Sequence, residues 1–93
     1  MEFEWDPAKE AANEAKHGIG FVRAATVFDD PNHLEEDTTK PEYGEQRGRA
    51  IGLVGPYLVT VIYTDRQGRR RIISARRASK DERERYDQST TTG

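Results

Sequence analysis

The run Tyr57-Leu-Val-Thr-Val-Ile-Tyr-Thr64 constrains this chain more than any other stretch. β-Branched and aromatic residues dominate it. Val59, Val61 and Tyr63 alternate with Leu58 and Ile62, the period-two pattern of a strand. Asp65-Arg66-Gln67-Gly68 reads as a hairpin turn, with glycine available for a positive-φ position. Arg69 to Arg77 then returns as the partner strand. Strict alternation along it sends Ile73 and Ala75 to one face and Ile72, Ser74 and Arg76 to the other. A cation therefore sits on a sheet face beside the helix-start signal that follows.

The rest of the chain supplies what such a sheet needs. Asp6-Pro7 is an N-cap followed by a proline at the first helical position, and Ala8, Ala11, Ala12 and Ala15 continue at helical spacing. Gly18 is placed to end that helix. Phe21, Ala24, Ala25 and Phe28 form an apolar stripe for a second helix, which Asp29-Asp30-Pro31 stops. His33 to Lys40 is acidic, a weak edge-strand candidate. Glu45 to Val54 alternates in part, with Arg47, Arg49, Ile51 and Leu53 on one parity and Gly48 and Gly52 weakening the other. Ser79-Lys80-Asp81-Glu82 is a capping box that opens a last helix through Tyr86. The expected fold is α+β: two N-terminal helices, an antiparallel sheet of three to four strands and a C-terminal helix. One domain is expected over 1–88, with a disordered tail over 89–93.

With 33% apolar and 34% charged residues among 93, the core must be thin. The absence of cysteine excludes disulfides and thiolate metal sites. Two histidines far apart give no zinc pattern. No apolar run approaches the ~20 residues that span a bilayer, and Met1 to Asp6 lacks the regions of a signal peptide, so a soluble, cytoplasmic protein without membrane partners is expected. The net charge of −2 conceals a division. Residues 1–45 carry twelve acids against four bases, and residues 46–80 nine bases against one acid. Either one positive face serves a phosphate-bearing ligand, or the two halves neutralise one another across the fold.

Phe3, Trp5, Asp6, Lys9, Asn13, Lys16, His17, Gly18, Ile19 and Phe21, in that order and spacing, resemble the opening signature of the BrnT toxins. Glu45-x-Arg47, the Val-Ile-Tyr-Thr strand and Arg71-Ile72-Ile73-Ser74-Ala75-Arg76-x-Ala78, followed by Glu82 and Tyr86, extend the resemblance over residues 3 to 87. It implies a RelE-like fold and the toxin of a type II toxin–antitoxin pair. Such a toxin cleaves RNA without a metal or other cofactor, inhibits translation, and is neutralised by a BrnA-type antitoxin. Operator DNA is then bound mainly through the antitoxin.

Metal-independent RNA cleavage needs a base for the 2′-OH, cations beside the pentacovalent phosphorus and a proton for the leaving oxygen. Arg76, between a strand end and a helix N-terminus, is the first candidate, since its planar fork matches phosphate oxygens. Arg47 is the second, with Glu45 on the same parity as base or as a partner that orients it. His17 is of the residue type that exchanges protons near neutral pH, but a histidine at a helix C-terminus also caps carbonyls. Tyr86 either supports the phosphate or anchors the last helix. Lys9, Lys16, Arg49, Arg69 and Arg71 are the candidate RNA-binding cations. The alternative is a non-catalytic nucleic-acid-binding module or an inactive, antitoxin-binding relative, which a sequence pI near 5.7 keeps open.

Overall fold

The computed structural model describes residues 1–91. Five strands form one mixed sheet: β1 (Glu2–Glu4), β2 (Leu34–Asp37), β3 (Gly48–Val54), β4 (Tyr57–Arg66) and β5 (Arg69–Arg77), in the spatial order β1-β5-β4-β3-β2. The β4–β5 hairpin is its centre, as its residues demand. Its turn is tighter than expected: β4 runs on to Arg66, and Gln67 and Gly68 turn alone with φ of 54° and 75°. The three-to-four-strand antiparallel expectation needs correction. β1 lies parallel to β5, with Glu2 opposite Arg69 and Glu4 opposite Arg71, and the acidic segment after His33 does form an edge strand. Each edge is closed by opposite charges that no local pattern reveals.

The first helix, α1 (Pro7–His17), is capped as its sequence dictates. Asp6 Oδ1 accepts from the Ala8 N–H at 2.8 Å, and Gly18 leaves at φ 73°. The second is a single α-turn, α2 (Phe21–Ala24), that tightens into a 3-10 turn over Ala25–Asp29. Tightening shifts the stripe toward a period of three, so Phe21, Ala24 and Val27 are buried while Ala25 and Phe28 are half-buried. The last helix, α3 (Lys80–Thr91), extends through Ser89, where a tail was expected to begin; residues 92 and 93 of that tail lie outside the described residues. Its capping box closes, with Glu82 Oε1 accepting from the Ser79 N–H at 2.8 Å.

The two sheet faces differ. One packs under α1 and α2 and holds the main core, in which Phe21, Val27, Val59, Val61, Ile72 and Ala75 are at most 1% exposed. Phe3, Trp5 and Phe28 pack around it, with Trp5 edge-on to Phe21. Gly48 and Gly52 belong to this face because a Cβ at Gly48 would collide with the Tyr63 ring and one at Gly52 with Val27 and His33. The other face carries a smaller cluster, Ile51, Leu58 and Tyr86, under α3. Ile72 departs from strict alternation. A β-bulge leaves Ile73 unpaired between the Ile62–Ser74 and Tyr63–Ile72 pairs, so Ile72 joins Ala75 in the core and Ile73 turns to the other face.

Asn13 ties α1 to the centre. Its amide donates to the carbonyls of Ile19 and Ala75, both at 2.9 Å, and its Oδ1 accepts from the Ala75 N–H at 3.1 Å. β1 pairs with β5 over residues 69–71, and the Asn13 carboxamide takes the place of an edge strand farther along.

Candidate functional site

The α3 face is covered at one end and open at the other. Cross-strand register aligns Glu36, Arg49, Ile62 and Ser74 in one row, and Leu34, Ile51, Thr60 and Arg76 in the next. Beyond α3 this face forms a groove of about 410 Å³. Ile62 and Ile73 are its apolar floor, Tyr43 an aromatic wall, and Lys40, Arg47 and Arg49 the charged residues that line it. All three are cations. Arg47 lies 4.1 Å from the Tyr43 ring centroid while its Nε donates to Glu45 at 2.9 Å.

Arg76 enters the site through Glu82. Its Nη1 and Nη2 donate to the two Glu82 oxygens at 2.7 and 3.0 Å, and Arg49 Nη1 stands 3.5 Å from the same carboxylate. Glu82 is 2% exposed and also accepts from Thr60 Oγ1 and the Ser79 N–H. Burial pushes its carboxyl up, but the bonds from Arg76, Ser79 and Thr60 outweigh burial and hold it down at about 2. The same carboxylate raises the Arg76 guanidinium. Arg49 in turn shares Glu36 with Arg85. One buried carboxylate thus fixes two guanidinium groups along the edge of the groove.

The remaining sequence candidates fall elsewhere. His17 lies on the opposite face, in a cleft with Tyr57 and Arg77, and does not join Arg47 and Arg76. Tyr86 is 7% exposed in the α3 cluster and donates to Asp30 Oδ2 at 2.7 Å; burial and that carboxylate push its hydroxyl up to about 12. This is the position of an anchor. Glu45 is paired with Arg47 at the groove. Arg69 and Arg71 face Glu2 and Glu4 across the β1–β5 register. Lys9 and Lys16 are exposed on α1.

Arg70, between the candidates Arg69 and Arg71, is 8% exposed. It is clamped between Asp65 and Glu35 and covers the Phe28 and Tyr63 rings. Most arginines of the basic segment therefore follow the neutralisation reading of the charge division, and positive surplus is left at particular places. Thr38, Lys40, Tyr43, Ile62 and Ile73 line the groove and were not among the sequence candidates. An aromatic between Lys40 and Arg47 is the signal that was available. Glu82 was read as a cap, which hides its second partner. Among the described residues, no three His, Asp or Glu side chains group as metal ligands, and no helix is long and apolar enough to cross a membrane.

Fold and site together define a small α+β domain with a cation-lined, partly apolar groove on an open sheet face. Residues 5–82 match the family described as "Ribonuclease toxin, BrnT, of type II toxin-antitoxin system", and the chain belongs to that family. No curated protein sequence matches it. Membership implies the class of ribonuclease toxins of type II toxin–antitoxin systems.

Proposed function

We propose that the chain is a RelE-like endoribonuclease that cuts single-stranded RNA in the open groove, without a metal, and thereby arrests translation. The observation that carries this reading is a groove whose lining charges are all cationic and whose floor and wall are apolar and aromatic. Phosphates meet the arginine forks and unstacked bases meet Ile62, Ile73 and Tyr43. In the reaction, the 2′-oxygen bonds to phosphorus as the bond to the 5′-oxygen breaks, giving a 2′,3′-cyclic phosphate and a 5′-hydroxyl end. Glu45 takes the 2′ proton, water supplies one to the leaving oxygen, and Arg47, Arg49 and Arg76 neutralise the pentacovalent phosphorus.

A second reading has its own support. Arg47, Arg49 and Arg76 each already hold a carboxylate, which suits an antitoxin-binding relative that grips nucleic acid without cutting it. In either case the partner is a BrnA-type antitoxin, operator DNA is reached mainly through it, and the compartment is the cytoplasm. Expressing the chain alone in bacteria separates the two. Growth arrest that Arg47→Ala with Arg76→Ala relieves supports the toxin, and a harmless, stably expressed wild-type chain contradicts it.

A further inference from the structure

The cleft that holds His17 lies on the core face of the sheet. Ala75 points into the core and Arg77 shares its parity, so Arg76 and Arg77, adjacent in sequence, point to opposite sides of β5. The cleft measures about 280 Å³, and its basic lining residues are His17, Arg23 and Arg77, with Tyr57, Val54 and Val59 as its less polar wall. None of the three basic residues has a carboxylate partner among the described residues. Arg47, Arg49, Arg69, Arg70, Arg71, Arg76 and Arg85 each hold a carboxylate, whereas Arg23 and Arg77, like Arg66 and Arg83, hold none among the described residues, and Arg23 and Arg77 share one cleft. The Arg77 guanidinium lies 3.8 Å from the centroid of the Tyr57 ring, which is 43% exposed.

We infer that this cleft is a second nucleotide-binding subsite. It takes a phosphate between Arg23 and Arg77 and a base against the Tyr57–Arg77 stack. Unpaired cations carry no cost of displacing a carboxylate when a phosphate arrives, and a guanidinium plane backed by an aromatic ring is a surface on which bases stack. Cations combined with a stacking platform favour nucleic acid over an acidic protein segment, which would need the cations alone. The inference rests on the RNA reading of the groove: one single strand, held at Arg76 on one side of β5, continues to Arg77 on the other. The subsite therefore extends the footprint beyond the groove and adds nothing to the bond-breaking step.

The test is binding of an uncleavable, 2′-deoxy single strand of ten nucleotides by the full chain, followed by amide NMR shifts and by fluorescence anisotropy. Arg23→Ala with Arg77→Ala is the cleft variant, and Arg47→Ala with Arg49→Ala the groove variant. The expected result is that Gly18, Tyr57 and Arg77 amides shift together with Lys40 and Ser74. The cleft variant should then bind about tenfold more weakly, with its salt slope lower by about 1 to 2, while its thermal midpoint matches wild type. Groove shifts without cleft shifts, and unchanged affinity in the cleft variant, would overturn the subsite and leave the groove reading intact. No binding in either place overturns both. Cleft shifts with an acidic peptide but not with the oligonucleotide assign the cleft to a protein partner and also overturn the inference.

Discussion

Arg76 and Glu82 form a two-bonded pair, at 2.7 and 3.0 Å, in which the carboxylate is 2% exposed and the guanidinium reaches solvent. The asymmetry matters. Glu82 is held by groups that stay put, Thr60 and the Ser79 backbone, so the pair positions Arg76 and not the reverse. A cation fixed this way is presented to a ligand without losing side-chain entropy at the moment of binding.

Glu82→Gln keeps the shape of that residue and removes its charge. Urea unfolding at pH 7 should show a loss of about 2 kcal/mol, since one partner of a buried ion pair is gone while its neighbour stays half-solvated. The pH dependence gives a second, signed readout. The folded carboxyl is held at about 2, below its ordinary value of 4.5. Its contribution is complete above the higher value and is lost as pH falls toward the lower. Wild type should lose about 3 kcal/mol from this group across that window, and the variant should lack that component.

Asn13→Ala removes three hydrogen bonds and leaves the Ala75 backbone without its outer partner. Unfolding should become easier by about 2 to 3 kcal/mol. Hydrogen exchange at the Ala75 amide should accelerate by more than at Val61, which stays paired inside the sheet.

Gln67 turns the central hairpin at φ 54° without being glycine. Gln67→Gly should stabilise the chain by about 0.5 to 1 kcal/mol, because the left-handed region costs a side chain roughly that much. A thermal midpoint that falls instead would show that the Gln67 side chain makes a contribution of its own.

What the sequence reveals and what it hides divides along the range of the interaction. The caps at Asp6, Gly18 and Ser79 and the β4–β5 hairpin are legible because their chemistry lies within a few residues. The parallel pairing of Glu2–Glu4 with Arg69–Arg71 joins residues 67 apart and is hidden. So is the bulge at Ile73: alternation read through it exchanges Ile72 with Ile73, although Arg76, beyond it, lands on the expected face. The common face of Arg47, Arg49 and Arg76 depends on two further registers, β3 with β4 and β4 with β5. His17 could be placed only once α1 was set against the other side of the sheet. Arg70 shows the same limit, since its burial comes from Phe28, Glu35 and Tyr63, all distant in sequence.

The central claim is that the open groove cuts RNA with its arginines. It is tested most directly by incubating the purified chain with a 5′-labelled single-stranded RNA in the presence of a metal chelator and mapping the ends. The account predicts fragments with 2′,3′-cyclic phosphate ends, a loss of cleavage of at least about 100-fold in Arg76→Ala, on the scale of removing one charge-stabilising group, and none in an RNA bearing 2′-deoxy at the cut position. Intact RNA, or cleavage that survives both Arg47→Ala and Arg76→Ala in folded protein, would contradict it.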